Sequence, residues 1–183
     1  FRSKNSFLSI SANPSIVKIL HGAVQDVKWI QRDFSLYIVN MFDTHIAAKI
    51  LGFPRGCLSL AFLLQNYCNV KTDKKYQLAD WRIRPLTSEM LQYARSDTRH
   101  LIKIYHLMKN ALIEKGNENN NLLRSTLDQS RELCKKRYEK PQIRPDDYLS
   151  NLRKTNICFN SRQLHAYKDL FDWRNKVARD EDE

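Results

Sequence analysis

The sequence predicts an α/β fold, and three observations carry that prediction. Residues 16–67 alternate between short β-rich runs and stretches whose apolar residues fall at helical spacing, the mark of an α/β unit. A long helical pattern from about Thr87 to Lys115 follows. Hydrophobic residues make up 42% of the 183 and charged residues 28%, enough apolar side chains for a real core and too many for a wholly disordered chain.

Residues 1–14 show no clean period and end in a turn or helix-start signal at Asn13-Pro14. The chain opens without a Met and is expected to be a piece of something longer. Ile16, Val17, Ile19 and Leu20 run into His21-Gly22, which fits a short buried helix or strand closed by glycine. Val24, Val27, Ile30 and Phe34 then recur at helical spacing. Leu36 to Phe42 is β-rich and predicts a buried strand ending at Asp43-Thr44. Thr44 is a candidate cap for a helix from His45 to Leu51, which Gly52 ends. Leu58 to Tyr67 predicts another apolar helix.

Residues 69–86 form a basic, polar connector with Lys71, Lys74, Lys75, Arg82 and Arg84, and with Tyr76 and Trp81 set among them. One long helix is expected from Thr87 through Met90, Tyr93, Asp97, Leu101, Ile104 and Leu107 to Lys115, with Gly116 as its terminator. A polar break at 118–121 precedes a helix from Leu122 to Tyr138, strongly basic at Lys135, Lys136 and Arg137. Pro141 and Pro145 mark a linker, and Ser161 to about Arg179 reads as a closing amphipathic helix.

Charge and cysteine content narrow the function classes. There are 31 Lys+Arg against 20 Asp+Glu, a formal charge of +11, and the pI is about 9.6. Residues 1–79 hold ten basic residues and four acidic ones, and nothing before Asp26 is acidic. No run approaches the roughly 18–20 apolar residues of a membrane span, so no membrane partner is expected. Cys57, Cys68, Cys134 and Cys158 lack the short spacing of a zinc knuckle. The balance fits a nucleic-acid-facing globular protein.

Tyr93 and Asp97 lie four apart in one helix and so share a face. A tyrosine hydroxyl beside a carboxylate suits the orienting of water at a metal. On spacing alone the pair reads first as a half-buried tyrosine beside a solvated aspartate. The cations and aromatics of the connector, Lys74, Lys75, Tyr76, Trp81, Arg82 and Arg84, are the mixture that binds single-stranded RNA by phosphate contact and base stacking. The same residues also fit a basic loop pinned to the core by Trp81. His21 reads as a hydrogen-bonded structural histidine, and His100 and His106 do not share a helix face. Cys57 and Cys68 read as small core residues rather than nucleophiles.

The order of the motifs adds a resemblance. The run from His21 to Phe34 (HGAVQDVKWIQRDF) with Asn40 to Thr44 (NMFDT) closely resembles the second exonuclease motif of the RNase D family of DEDD-Y 3′→5′ exonucleases. Tyr76 to Leu86 (YQLADWRIRPL) is similar to the connector of the nuclear RNA-exosome-associated branch. Tyr93 to Thr98 (YARSDT) resembles the third motif, in the expected place. The likeness spans roughly residues 14–116 and continues more weakly through Cys134 to Pro141. Residues 159–182 look like the opening helix of the helicase-and-RNase-D C-terminal (HRDC) domain.

This resemblance implies a ribonuclease-H-like core and a two-metal 3′→5′ exoribonuclease that releases nucleoside 5′-monophosphates. Such enzymes hold two divalent ions about 3.5–4 Å apart with four carboxylates, and magnesium or manganese suits an all-oxygen site. Carried over by position, Asp26 and Asp97 are metal ligands, Tyr93 orients the attacking water, and Asp43 supports the following helix. Lys74, Lys75, Trp81, Arg82 and Arg84 are the expected RNA-binding residues. Single-stranded RNA 3′ ends, the RNA exosome and its cofactors are the implied partners, and the nucleus, with the nucleolus in view, the implied location.

The departure lies upstream. The family's first motif is Asp-x-Glu on a strand, and residues 1–25 contain neither Asp nor Glu. The expectation is therefore an incomplete, helix-dominated exonuclease domain over 1–116, a basic helix and linker over 117–158, and the start of an HRDC domain over 159–183. Weak metal retention and little catalysis are expected of this chain by itself. Two alternatives stay open: a catalytically silent RNA-binding or exosome-docking module, and an incomplete gene product.

Overall fold

The computed structural model describes residues 2–71, 74–140, 142, 144, 146–155 and 157–181. These divide into two compact units, residues 1–138 and 139–183.

The first unit is built on a small parallel β-α-β arrangement. Strand β1 (Lys18–Leu20) pairs with β2 (Met41–Asp43), Lys18 opposite Met41, Ile19 opposite Phe42 and Leu20 opposite Asp43. Helix α2 (Val24–Phe34) makes the crossover that a parallel pair requires. It is preceded by α1 (Arg2–Ser11), where the sequence offered no clean period. Ser11 ties α1 to the chain before β2 by accepting the Val39 amide at 2.9 Å.

The predicted strand over 36–42 is cut down to Met41–Asp43. Leu36 and Ile38 are buried and Tyr37 and Val39 exposed, so the alternation is real. Asn40, however, takes a left-handed φ of 57°, which breaks the extended run. Its amide is held there by the Pro14 carbonyl at 2.7 Å.

Three helices build the core around Phe42 of β2, and a fourth packs on one of them. Helix α3 (Thr44–Ile50) follows it directly, and α4 (Leu60–Cys68) begins at a Ser59 cap. Helix α5 (Ser88–Arg99) starts at a Thr87 cap, and α6 (Leu101–Lys115) supplies the deepest apolar face. Phe42, Ala47, Ala48, Leu63, Leu64, Ile104, Met108 and Leu112 form the main core. A second cluster joins Ala23, Val27, Ile38 and Met41. Cys68 lies half-buried on the main core, as a small packing residue should. Helix α7 (Leu122–Cys134) lies against β2 and α3 and ends four residues short of the expected Tyr138. Gln31 holds the chain beyond it, donating to the Lys136 carbonyl at 2.8 Å and accepting the Tyr138 amide at 2.9 Å.

The single helix expected over 87–115 is two helices, divided at His100. The end of α5 carries Ser96, whose hydroxyl donates to the Tyr93 carbonyl at 2.7 Å, and Thr98, whose hydroxyl reaches back to the preceding turn. Such back-bonding competes with the helix ladder and bends it. Gly116 does end α6, but with φ −79° rather than a left-handed turn. A side chain there would meet the Leu112 carbonyl at 2.9 Å.

The second unit contains α8 (Asp147–Thr155), inside what the sequence suggested was linker, and α9 (Ser161–Asp180). Pro141 and Pro145 lie outside the described residues. Asn160 and Gln163 cap α9 reciprocally. Phe171 is buried beside Tyr148, their rings 6.3 Å apart, whereas Leu170 and Trp173 remain 61% and 63% exposed. No described helix is long and apolar enough to cross a membrane.

Candidate active site

The site is organised by a buried carboxylate that is already fully engaged. Asp43 ends β2 and is 1% exposed. Its Oδ1 accepts the Gly22 amide at 2.9 Å and the His45 amide at 2.8 Å, while Oδ2 accepts the Ala23 amide at 2.9 Å. Asp43, rather than Thr44, is therefore the cap of α3. Gly22 adopts φ +65°, the left-handed turn that lets the amides of residues 22 and 23 point at one carboxylate. The Asp43 amide is anchored in turn by the Ser130 hydroxyl of α7 at 3.1 Å.

Thr44 and His21 complete this support. The Thr44 hydroxyl donates to the Leu20 carbonyl at 3.1 Å and lies 2.9 Å from His21 Nδ1. Burial lowers the His21 pKa; His45, 5.6 Å away ring to ring, lowers it further, against Asp43 and the Leu58 carbonyl, which raise it. His21 is thus a positioned structural histidine, as its sequence context suggested.

The chain turns directly from this hub into the first turn of α2, which carries Asp26. Asp26 is half-buried, and its carboxyl is pushed above the usual range by burial and then by the charge of Asp43. Among the described residues no ion pair reaches it.

Asp97 has a different setting. It lies on α5 one turn beyond Tyr93, and burial raises its carboxyl while a hydrogen bond from the Tyr93 hydroxyl draws it back down. The Tyr93 ring is flanked by two rings of the connector, Tyr76 at 5.9 Å and Trp81 at 6.1 Å between centroids. Trp81 Nε1 donates to the Tyr76 carbonyl at 3.1 Å, and that carbonyl also accepts the Ala79 amide at 3.3 Å. The loop builds itself and then packs its aromatic faces on Tyr93.

Among the basic side chains of the connector, Lys75, Arg82 and Arg84 are exposed. Arg82, 89% exposed, pairs with Asp80 at 2.9 Å. Arg84 Nη1 donates to the Trp81 and Ile83 carbonyls at 2.7 and 2.8 Å. Lys75 Nζ stands 5.3 Å from the centre of the Tyr76 ring. The Lys74 side chain lies outside what the structure describes. Exposed pairs such as Arg82–Asp80 are worth about 0–1 kcal/mol and exchange readily for another anion.

The spacing of Tyr93 and Asp97 foretold their pairing. It did not foretell Tyr76, because a contact between a 3-10 turn at Lys74–Tyr76 and a helix begun a dozen residues later has no periodic signature. No group of three or more His, Cys, Asp or Glu side chains placed to hold a metal occurs among the described residues.

Residues 5–113 match the 3′–5′ exonuclease family. The chain belongs to that family. It is similar, at 51% identity over 174 residues, to the exosome complex component 10 homolog of Drosophila melanogaster, a match that covers 95% of this chain and 19% of the relative. The chain thus spans about a fifth of the length of that relative. The crystal structure of the catalytic core of RRP6 from Trypanosoma brucei is 44% identical, with a TM-score of 0.81 over 92% of this chain and 45% of that one. Escherichia coli RNase D, an exoribonuclease involved in structured RNA processing, is 28% identical, with a TM-score of 0.67 over 97% and 45% of the two chains. The helix-dominated, ribonuclease-H-like α/β core expected from the motifs is thereby shown, as is closeness to the exosome-associated branch. Members of the family depend on divalent metal ions, and the half-buried oxygen donors Asp26 and Asp97, raised by burial and without an ion pair among the described residues, suit a hard dication.

Proposed function

We propose that this chain contributes the second- and third-motif residues of a 3′→5′ exoribonuclease that removes nucleoside 5′-monophosphates from RNA 3′ ends. The observation that carries the reading is the placement of Tyr93 and Asp97 one turn apart on one face of α5, where Tyr93 draws the Asp97 carboxyl down, within a family that hydrolyses phosphodiesters in this direction. Asp26 and Asp97 are the residues that would hold magnesium or manganese. The bound ions would supply an activated water and neutralise charge on the phosphate. Tyr93 holds a hydrogen-bonding hydroxyl where it can orient that water. Lys74, Lys75, Arg82 and Arg84 offer phosphate contacts along the connector.

Two carboxylates neutralise a pair of dications only in part, and residues 1–25 provide no further Asp or Glu. The 183-residue chain alone therefore retains metal weakly in this reading. Action in the nucleus together with the RNA exosome is supported by the similarity to exosome complex component 10. In the same reading residues 159–182, which include the capped helix Ser161–Asp180, would open an HRDC domain.

The test is digestion of a 3′-labelled single-stranded RNA with Mg2+ or Mn2+ by the longest natural product that contains these residues. Asp97→Asn is expected to lower the rate by about 100-fold or more, the scale of losing an electrostatic contact made in the transition state. An unchanged rate would sink the assignment. Salt-sensitive RNA binding that ignores the metal, with no digestion by the unaltered protein, would favour the silent RNA-binding module.

A further inference from the structure

Base stacking is one use for Tyr76 and Trp81, but their contacts point elsewhere. We infer that the two residues are positioning residues for Tyr93: the connector acts as an aromatic clamp that aims the Tyr93 hydroxyl at Asp97. The inference rests on the reading of Tyr93 as the group that orients the attacking water.

The geometry supports it at three levels. Both rings lie at contact distance from the Tyr93 ring, tilted by 48° and 44°, so two aromatic neighbours restrict the phenol. Tilted ring pairs at this separation carry a preferred geometry as well as buried area. The two clamp members are locked to each other, since the Trp81 indole donates to the Tyr76 carbonyl at 3.1 Å. The turn carrying Trp81 is closed by its own contacts, Arg84 to the Trp81 carbonyl and Arg82 to Asp80. Trp81 and Tyr76 are half-buried, whereas Leu78 between them is 98% exposed. The loop thus spends its aromatic residues inward and leaves an aliphatic one to water, the reverse of a stacking platform.

Without the clamp, a tyrosine on the half-exposed face of α5 would sample other rotamers. A reacting group misplaced by about 1 Å loses up to roughly 100-fold in rate. The connector's length and composition then have a purpose beyond linking α4 to α5.

The experiment is steady-state digestion of 3′-labelled single-stranded RNA by the longest natural product, comparing Trp81→Ala, Trp81→Phe and Tyr76→Leu. Trp81→Ala is expected to lower kcat by about 10- to 100-fold with KM within about twofold. Trp81→Phe keeps a ring against Tyr93 and should restore most of kcat. Tyr76→Leu leaves the carbonyl that receives the indole in place and removes only the ring, so the same kcat loss is expected even if Trp81→Ala fails to fold. In a Tyr93→Phe background, removal of the Trp81 ring should cost nothing further, a result that a merely structural role would not give. A rise in KM at constant kcat marks Trp81 as a base-stacking residue and overturns the inference, as does an unchanged kcat. If Tyr93→Phe itself leaves kcat unchanged, the reading of the site falls as well.

Discussion

Asp43 is the residue whose loss the fold should feel most, and the structure allows the cost to be worked out. Its carboxylate takes three backbone N–H donors, two on Oδ1 and one on Oδ2, at a position 1% exposed. Asp43→Ala leaves all three donors unpaired, and each buried unpaired donor costs about 1–3 kcal/mol. The His45 amide at a helix start can recover part of its bond from water. The net loss should be about 3–5 kcal/mol, which for a chain of this size lowers Tm by roughly 6–20 °C. Asp43→Asn retains an oxygen at Oδ1 and so keeps the Gly22 and His45 bonds, while its amide nitrogen faces the Ala23 N–H. One bond is lost there and two donors oppose each other, for about 1–3 kcal/mol. Urea unfolding followed by far-UV circular dichroism measures both, provided the m value is unchanged. The same Asn variant removes the charge that helps to raise Asp26, so the Asp26 carboxyl should titrate lower in carboxyl-selective NMR. Asp43→Ala within about 1 kcal/mol of the unaltered chain, or Asp43→Asn less stable than Asp43→Ala, would refute the reasoning.

Two further outcomes follow from the same geometry. His21 is held below its ordinary pKa, chiefly by burial, so the unfolded chain binds its proton more readily than the folded one. Stability should therefore be intact above about pH 6.5 and fall as pH drops below it; a thermal melt series from pH 8 to 5 should show this slope, and His21→Gln should flatten it. Arg82→Ala and Arg84→Ala should each weaken single-stranded RNA binding uniformly across sequences and reduce the magnitude of the salt slope by about 0.7. Fluorescence anisotropy at several salt concentrations reads both, and an unchanged slope would remove these cations from the RNA path.

How much was legible in advance depended on whether a feature is local. Helices α2 and α3 were readable because their apolar spacing and the Gly52 end of α3 are properties of a few neighbouring residues, and α4 was readable from its apolar run, although it begins at Leu60 behind a Ser59 cap rather than at Leu58. The Tyr93–Asp97 pair was readable for the same reason, being one helical turn apart. The strand over 36–42 was overextended because its β-rich composition conceals a left-handed Asn40 that only the Pro14 contact reveals. Helix α1 escaped because its apolar residues, Phe7, Leu8 and Ile10, are all exposed and leave no buried stripe. The break at His100 turned on Ser96 and Thr98 bonding backward, an option the same residues decline in many helices. Tyr76 was missed as a partner of Tyr93 since nothing in the sequence fixes how a seventeen-residue separation closes in space.

The division of labour among the three aspartates ties fold to chemistry. Asp43 is wholly buried, yet its charge is spent on backbone amides, so it can neither leave nor bind anything else. Asp26 and Asp97 are only half-buried, and both are raised chiefly because burial penalises their charge, with no ion pair to either among the described residues. Asp97 has one neutral donor, Tyr93, which lowers its pKa without consuming its negative charge. A carboxylate kept uncomfortable in this way gains most from a dication, whereas one already satisfied gains least. Asp43 builds the turn that presents Asp26; under the proposed function Asp26 and Asp97 keep their charge for a dication, and the proposed aromatic clamp on Tyr93 aims the remaining donor.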